Sequence, residues 1–333
     1  MIADVVPSSL SIDRLTLDFT TFDGDYHALE DVSLSVGPGE SLGIVGETGC
    51  GKSVLAKSVL RLLESPPARY VGGRIFWAGR DLLNAPEKEL RRVRGTEISM
   101  IFQDPTTFLD PLYPAGDHII EALVHSANVR GKNAHKADIR AAALRLLDQL
   151  GMPDPVRALE SYPHQLSGGM RQRILIAGAM AGNPQLLIAD EPTTALDVTV
   201  QAQILRLLKN LIEYKGVGIM LISHDLGVIA SVCQRIAVMY AGTIVETGYK
   251  ADILRQPHHP YTRGLIASVP RLHSGTKTFS GIRGQIPNLL KKSAGCRFAD
   301  RCDRATARCC LEKPRLRAIA AKHLVACHNL EAE

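Results

Sequence analysis

The eight-residue segment GETGCGKS, residues 46–53, constrains the fold more than any other part of this chain. An apolar run at residues 42–45 precedes it, and helical periodicity follows it over residues 54–63. The pattern GxxxxGK[ST] between a buried strand and a helix is typical of a phosphate-binding loop. Its glycines let backbone N–H groups approach phosphate oxygens closely, and the next helix N-terminus favours negative charge. The segment therefore predicts an α/β domain that binds a nucleotide.

The loop also supplies the side chains that phosphate and magnesium require. Lys52 would place a positive charge at the β- and γ-phosphates, and the Ser53 hydroxyl would be a Mg²⁺ ligand. The residues predicted to line the phosphate site are Gly46, Glu47, Thr48, Gly49, Cys50, Gly51, Lys52, Ser53 and Val54. On its own, this motif indicates nucleotide binding and does not identify a reaction.

Acidic residues at the end of a second apolar run indicate hydrolysis. Residues 186–189 form a predicted strand that ends at Asp190 and Glu191. From the end of a buried strand, Asp190 would hold Mg²⁺ through water, and Glu191 would orient and deprotonate an attacking water. A third run, residues 219–222, ends near His224, and its imidazole is expected beside the γ-phosphate.

The segment LSGGM, residues 166–170, predicts a second helix N-terminus that suits an anion. Ser167, Gly168 and Gly169 would open a helix that runs to about residue 181, and a serine and two glycines at a helix N-terminus form an anion site. A single γ-phosphate cannot use this site and the phosphate loop in the same way. We therefore expect two chains, arranged head to tail, to share each nucleotide.

Together, these motifs resemble those of the ATPase subunits of ATP-binding cassette (ABC) transporters. The resemblance implies that Gln103, in MIFQDP, senses Mg²⁺ and the membrane partner, and that Asp197, in TTALD, lies at the dimer seam. It also implies that His224 is the switch histidine. Tyr26 and Phe22 both qualify as the aromatic that stacks on adenine, and Tyr26 is favoured. The implied catalytic residues are Glu191, His224 and Gln103. The implied magnesium site comprises Ser53, Gln103 and Asp190.

The same resemblance predicts the architecture. It implies an α/β, ABC-type P-loop ATPase with a RecA-like core, an antiparallel β subdomain and a helical subdomain. The antiparallel strands are expected within residues 10–36 and 71–84, and the helical subdomain at about residues 112–182. The ATPase domain would span residues 1–250, with residues 251–333 forming a small cysteine-rich C-terminal extension. The string HPYTRGL at its start resembles the extension of dipeptide/oligopeptide-type importer ATPases.

The composition, with 45% hydrophobic and 22% charged residues, is that of a globular protein. The first residues do not resemble a signal peptide, and no stretch approaches the ~20 apolar residues that cross a bilayer. Residues 271–333 hold 13 Lys and Arg against 5 Asp and Glu, so this tail is basic. A basic tail suits nucleic acid, an anionic membrane surface, an internal anionic centre or simply a solvated face.

Five of the seven cysteines lie in this tail, and four match the cysteine pattern of the peptide-importer extension. Cys296, Cys302, Cys309 and Cys327 are separated by five, six and seventeen residues. In that group the four thiolates resemble ligands of a [4Fe–4S] cluster, and soft thiolates suit iron–sulfur or, as the alternative, zinc. Cys310 would be the spare, although it could exchange roles with Cys309. The arginines expected to offset the charge of a cluster are Arg297, Arg301, Arg304 and Arg308.

The predicted function is that of an ATP-hydrolysing subunit. It would power import of dipeptides, oligopeptides or a related small solute from the cytoplasmic face of the inner membrane, as a peripheral protein. Resemblance implies two integral membrane permease subunits, an indirect extracytoplasmic solute-binding protein, and a second ABC ATPase. Met170, where the family usually has glutamine, is typical of one of two non-identical ATPases. The alternative is a soluble ABC ATPase acting on nucleic acid or ribosomes; the basic tail has few aromatics for base stacking, so no nucleic-acid partner is expected.

Overall fold

The computed structural model describes residues 9–133, 135–194, 196–269 and 281–330. Strands and helices alternate through most of this part of the chain. The strands are β1 Leu10–Thr21, β2 Gly24–Val36, β3 Ser41–Val45, β4 Ala68–Trp77, β5 Arg80–Asp81, β6 Ile98–Ile101, β7 Leu186–Asp190, β8 Gly218–Ser223, β9 Arg235–Tyr240, β10 Thr243–Tyr249, β11 Arg317–Ala320 and β12 His323–Val325. The helices are α1 Lys52–Val59, α2 Glu87–Val93, α3 Pro105–Phe108, α4 Ala115–Val129, α5 Lys136–Gln149, α6 Pro155–Glu160, α7 Gly168–Met180, α8 Val198–Lys215, α9 Leu226–Val232, α10 Lys250–Arg255, α11 Pro260–Ala267 and α12 Ala307–Leu311, with short 3₁₀ turns at Pro163–Gln165 and Ala299–Arg301.

A central sheet of eight strands has the order β11-β12-β10-β9-β3-β8-β7-β6. Strands β9, β3, β8, β7 and β6 run parallel to their neighbours within this group. Every residue of β3, β7 and β8 is buried, as expected for parallel strands with both faces covered. The carboxyl ends of parallel strands meet at one edge, so the segments that follow β3, β6, β7 and β8 lie together there.

The predicted antiparallel strands form a separate sheet of four, in the order β2-β1-β4-β5. Its inward side chains, Leu15, Leu17 and Trp77 among them, are almost fully buried. They belong to a continuous apolar core with Leu55 of α1 and Ile44 of β3. This packing fixes the antiparallel sheet against the strand and helix that flank the phosphate loop.

Helices α4, α5, α6 and α7, which lie between β6 and β7 in the sequence, pack against one another. The close approach of α4 to α6 depends on Gly116, because a Cβ atom there would lie 2.2 Å from Leu159 Cδ2. Ala143, Leu147 and Ile174 are fully buried in the same core. Within the described residues, no helix is long and apolar enough to cross a membrane.

The chain beyond β10 joins the central sheet. Strand β12 pairs antiparallel with β10, so that Val325 lies opposite Glu246, and β11 pairs with β12. The Glu246 carboxylate is fully buried and accepts backbone N–H groups of His258 and His259 at 2.9 Å. His323 Nε2 lies 2.8 Å from the same carboxylate. The sheet thus continues across residue 250, and the division into two domains at that point stays a prediction.

Candidate nucleotide-binding and hydrolysis site

The phosphate loop connects β3 to α1, as predicted, and is closely packed. A Cβ atom at Gly46 would lie 2.1 Å from the Met239 carbonyl oxygen, so only glycine fits between these strands. Gly51 has a φ of 102°, in the region that favours glycine, and directly precedes α1. The Lys52 ammonium is almost buried and donates hydrogen bonds to the carbonyl oxygens of Gly46 and Glu47, at 2.8 and 2.9 Å. The Lys52 ammonium therefore lies against the backbone of the phosphate loop itself.

The remaining residues of the loop are placed by the same turn. Thr48 and Gly49 are exposed, whereas Cys50 is fully buried, with its N–H donating to the Glu47 carbonyl oxygen. Burial raises the pKa of the Cys50 thiol, so this group is neutral at physiological pH. Val54, in the first turn of α1, packs against the core of the antiparallel sheet.

Ser53 and Asp190 are brought together from α1 and the end of β7. The Ser53 hydroxyl donates to Asp190 Oδ1 at 3.0 Å. Burial raises the pKa of Asp190 above its ordinary value of 3.8, and the nearby Glu191 carboxylate acts in the same direction. A hydroxyl and a buried carboxylate at this edge are oxygen ligands of the kind Mg²⁺ prefers, so these residues suit the predicted magnesium site.

Glu191 lies at the centre of a hydrogen-bonded group of side chains from three strand ends. Gln103, two residues after β6, donates through Nε2 to Glu191 Oε2 at 3.0 Å. Thr194 donates to the same oxygen at 2.9 Å, and His224 Nδ1 lies 3.2 Å from Oε1. The three predicted catalytic residues are therefore neighbours in the fold.

The backbone of Glu191 is also unusual. Its φ of 47° lies in the left-handed region, which side chains larger than glycine seldom adopt. Its N–H donates to the Ile222 carbonyl oxygen of β8 at 2.9 Å, which fixes this conformation. Strained backbone that is held by neighbouring strands is common where a catalytic side chain needs a fixed direction.

The LSGGM segment caps α7, as predicted. Ser167 is the N-cap residue, and its Oγ accepts the Met170 N–H at 3.3 Å. Gly169 packs so closely on α8 that a Cβ atom would lie 2.6 Å from Val200 Cγ1. Asp197 caps α8 by accepting the Val200 N–H at 2.9 Å. Ser167 and Asp197 thus cap two helix N-termini that pack on each other.

The two aromatic candidates for adenine differ in exposure. Tyr26 is partly buried in β2 and packs against both apolar cores, whereas Phe22, in the turn between β1 and β2, is fully exposed. A ring that stacks on a base needs one free face, which both residues have to different degrees. The choice of Tyr26 stays a prediction.

Contacts from the C-terminal extension to the phosphate loop were not predicted from the sequence. Arg301 donates from both terminal nitrogens to the Glu47 carboxylate, at 2.7 and 2.9 Å. The Glu47 N–H donates to the Tyr261 hydroxyl at 2.9 Å. Tyr261 belongs to the HPYTRGL string and is fully buried. One residue of the loop is therefore bound at its side chain and its backbone by the extension.

The four predicted cluster ligands line one small cavity, which His259 and Phe298 also border. Burial raises the pKa of the Cys296 thiol to about 11, and the nearby thiols of Cys309, Cys327 and Cys302 act in the same direction. Among the described residues, however, no three His, Cys, Asp or Glu side chains are arranged to hold a metal ion. The iron–sulfur cluster and its zinc alternative stay hypotheses.

The exposed Cys310 does not line this cavity, in contrast to the buried Cys309. All seven cysteines lie in the described part of the chain, and each has a free thiol. The structure thus places Cys309 with the other three predicted ligands and leaves Cys310 at the surface.

The expected role of the tail arginines needs correction. Arg297 forms an ion pair with Glu30 at 2.9 Å and also donates to the Ala241 carbonyl oxygen. Arg301 pairs with Glu47, and Arg308 pairs with Glu312 at 2.7 Å. Carboxylates therefore bind three of the four guanidinium groups. Glu30 and Glu47 belong to the core on which the extension packs, whereas Glu312 is an exposed residue of the extension itself. Arg297 and Arg301 are therefore not primarily a countercharge for a cluster, whereas this role of Arg308 stays a prediction.

Comparisons with known proteins agree with this geometry. A family model described as ABC transporter matches residues 29–194, and one described as Oligopeptide/dipeptide transporter, C-terminal region, matches residues 245–309. The chain is 49% identical over 293 residues to the "Dipeptide transport ATP-binding protein DppD" of Bacillus subtilis (strain 168), covering 88% of this chain and 86% of that protein. It is 45% identical over 300 residues to the "Probable D,D-dipeptide transport ATP-binding protein DdpD" of Escherichia coli (strain K12), covering 90% of each chain.

A solved structure supports the fold. It is described as the dimeric structure of a post-hydrolysis state of the ATP-binding cassette MJ0796 bound to ADP and Pi, and it matches with a TM-score of 0.65 and 27% identity. The match covers 72% of this chain and 98% of that one, and it confirms the predicted ABC-type α/β fold. The chain belongs to the ATP-binding proteins of ABC transporters, in the group that carries the oligopeptide/dipeptide transporter C-terminal region.

Proposed function

We propose that this chain hydrolyses ATP to power import of dipeptides, oligopeptides or a related small solute through separate membrane subunits. The observation that carries the ATPase part is the Glu191 carboxylate, held by Gln103 and His224 beside the Ser53–Asp190 pair. The observation that favours a peptide cargo is the match of residues 245–309 to the peptide-transporter C-terminal region. The proposed substrate of hydrolysis is ATP, bound at the phosphate loop.

The chain's residues suit magnesium at this site. Ser53, Asp190 and Gln103 would hold the ion; Ser53 contacts Asp190, and Gln103 contacts the adjacent Glu191. When bound, Mg²⁺ neutralises charge that develops on the phosphate oxygens. When nucleotide binds, the Lys52 ammonium would leave the carbonyl oxygens of its own loop and bind the β- and γ-phosphates. Its present hydrogen bonds already hold it beside the expected phosphate site.

Glu191 would act as the general base. Its carboxylate would accept a proton from a water molecule as the water oxygen attacks the γ-phosphorus, and the bond to the leaving ADP oxygen would break. Gln103 and His224 contact the two carboxylate oxygens separately and so fix the plane of the group. Orientation of this kind contributes to the rate because the attacking water must lie in line with the leaving group.

A second ABC ATPase chain is part of the proposal. Ser167 and Gly168 at the α7 N-terminus would bind the γ-phosphate held by the phosphate loop of the partner chain, because helix N-termini favour anions. The methionine at position 170 lacks the amide of the usual glutamine, which supports a partner that is a non-identical paralogue. Hydrolysis would then separate the two chains.

Transmission to the membrane would involve the segment after β6. Gln103 contacts Glu191, and its neighbour Phe102 stacks on Phe108 of α3 at a ring-centroid distance of 4.0 Å. A change at the nucleotide could therefore move α3 and the helices that pack beyond it. We place the protein peripherally at the cytoplasmic face of the inner membrane, bound to two permease subunits, with a solute-binding protein acting on the far side.

The cysteine group is proposed to hold a [4Fe–4S] cluster. The support is chemical: four cysteine thiols line one cavity, and cysteines that have lost their proton are the usual ligands of iron–sulfur clusters. When bound, the cluster would fix the extension through four points of the chain, a structural role. Zinc remains the alternative metal for the same ligands.

Nucleic acid as a partner is disfavoured by the contacts of the basic tail. Arg297 and Arg301 are largely buried and bind carboxylates of the core, so they are not available to phosphates of a nucleic acid. The similarity to peptide-transport ATP-binding proteins points in the same direction.

The test is purification of the tagged chain from detergent-solubilised membranes of the organism that produces it. We expect integral membrane subunits to copurify, and ATP hydrolysis by the reconstituted complex to rise when peptide and its binding protein are added. A variant with Lys52→Ala should lose this hydrolysis while the complex still assembles. Copurification with ribosomes or nucleic acid, and not with membrane subunits, would contradict the proposal.

A further inference from the structure

The contact between Arg301 and Glu47 joins parts of the chain that are 254 residues apart. Arg301 lies in the cysteine-rich extension, and Glu47 is the second residue of the phosphate loop. The pair is bidentate, with two N–H donors facing two carboxylate oxygens. The Arg301 side chain is 5% exposed and that of Glu47 28% exposed, so solvent screens this pair less than it screens a surface ion pair.

Contacts with residues other than Glu47 also fix the Arg301 guanidinium group. Its Nε donates to the Arg283 carbonyl oxygen at 2.7 Å, and one terminal nitrogen also donates to the Ile282 carbonyl oxygen at 3.2 Å. The guanidinium carbon lies 5.6 Å from the ring centre of Tyr240 and 5.9 Å from that of Phe298. Little conformational freedom remains to be lost when this side chain binds the loop.

Tyr261 makes the second contact from the same direction. Its ring packs against those of Tyr240 and Phe298, at centroid distances of 4.6 and 5.5 Å, and its hydroxyl accepts the Glu47 N–H. Backbone N–H groups of a phosphate loop are the groups that bind phosphate. Because the Tyr261 hydroxyl accepts the Glu47 N–H, it sets the orientation of the peptide group between Gly46 and Glu47, at the start of the phosphate loop.

We infer that Arg301 and Tyr261 are positioning residues for nucleotide binding, through which the C-terminal extension holds the phosphate loop in its phosphate-binding shape. The extension contacts neither the phosphates nor the catalytic water in this scheme. It acts on ATP affinity through Glu47 alone, and the inference rests on the nucleotide site proposed above. Damage to the extension is therefore expected to weaken nucleotide binding at a site formed by other residues.

The test measures the dissociation constant of MgADP, by titration calorimetry on the full-length chain, which avoids hydrolysis. Arg301→Gln, Glu47→Gln and Tyr261→Phe should each weaken binding about fivefold, because a fixed polar contact to the loop is lost. The double variant Glu47→Gln/Arg301→Gln should be no weaker than either single variant, since both remove the same contact. Arg301→Lys keeps the charge without the bidentate geometry and should restore only part of the affinity.

Glu312→Gln is the matched control, because it breaks an exposed ion pair within the same extension, between Arg308 and Glu312. Its affinity for MgADP should equal that of the wild type. Thermal unfolding is recorded for every variant, and binding is measured far below each midpoint. Lower midpoints with unchanged affinity would show a merely structural contact and overturn the inference, as would additive effects in the double variant. A wild-type chain that binds no nucleotide would overturn the proposed function as well.

Discussion

Nδ1 of His224 lies 3.2 Å from Oε1 of Glu191, although the two residues follow different strands of the central sheet. The contact arises because β7 and β8 are parallel neighbours, so their carboxyl ends bring both side chains to one edge. Gln103 reaches the other oxygen of the same carboxylate from the end of β6. A base held from two sides in this way is oriented before substrate binds, which is the basis of the first prediction.

Glu191→Gln should lower the turnover of the assembled transporter by ~10²–10⁴-fold, the usual effect of losing a general base. Affinity for ATP should remain, because the amide keeps the size of the side chain. Steady-state hydrolysis and nucleotide titration measure the two quantities. Glu213→Gln, in an exposed pair on α8, controls for the loss of one charge. Hydrolysis near the wild-type rate in preparations free of wild-type protein would contradict the assignment of Glu191.

Asp190→Asn should make the chain more stable and less active. Burial raises the pKa of Asp190, so the folded state binds a proton more readily than the unfolded state. The wild type therefore loses stability as the pH rises from about the ordinary value of 3.8 through the raised pKa of the folded state. The amide cannot ionise, and it still offers an acceptor to the Ser53 hydroxyl.

We thus expect the free energy of unfolding without Mg²⁺ to be higher for Asp190→Asn than for the wild type at neutral pH. The difference should shrink as the pH falls below the raised pKa. Hydrolysis with Mg²⁺ should fall by ~10²-fold or more, since a ligand of the ion is lost. Denaturant unfolding at several pH values measures the first effect, with Asp148→Asn on α5 as the control. A variant that is less stable than the wild type at neutral pH would count against this account.

The central motifs could be predicted from the sequence because their chemistry is local. The phosphate loop needs glycines and a lysine at fixed spacing, and Asp190 and Glu191 end an apolar run that could only be a buried strand. The ends of helices were predicted less accurately, because the apolar periodicity does not show where a helix stops. Helix α1 ends at Val59, although the periodicity continues to residue 63, because the chain turns at Arg61, whose φ is 49°.

Features that depend on distant parts of the chain were not predictable from one sequence. Nothing in the residues around Glu47 or Arg301 indicates that they pair, because an ion pair has no periodicity and any acid could be the partner. Strands β11 and β12 have only four and three residues, too few for an alternation pattern. Strand β12 forms because the edge of β10 offers hydrogen bonds, and β11 then pairs with β12. The tail arginines were predicted to offset the charge of a cluster because they lie next to the cysteines in the sequence, and the sequence does not show which carboxylates they contact in the fold.

Ser167→Ala should impair hydrolysis at the nucleotide site of the partner chain more than at this chain's own site. The hydroxyl caps α7, and its loss weakens the anion-binding end of that helix. In a complex where this chain carries Glu191→Gln, the remaining hydrolysis comes from the other site. Adding Ser167→Ala should lower that remaining rate by ~10²-fold, the order of effect seen when one transition-state donor is lost.

The converse complex carries the inactivating change in the catalytic glutamate of the partner, and there Ser167→Ala should have little effect. Ser161→Ala, which removes a hydroxyl at the end of α6, is the control in both complexes. An isolated chain that forms a fully active homodimer would show that no non-identical partner is needed. Equal losses at both sites would contradict the shared-site arrangement.

The last prediction separates two adjacent cysteines. Cys309 lines the cavity with Cys296, Cys302 and Cys327, whereas Cys310 is exposed. Protein purified without oxygen should be brown and contain about four irons per chain, the number expected for one cluster with four cysteine ligands. Cys309→Ser should lose most of this iron and its visible absorbance, and Cys310→Ser should retain both. Equal iron loss in the two variants would mean that Cys310 can replace its neighbour, and a colourless wild type with one zinc or with free thiols would refute the cluster.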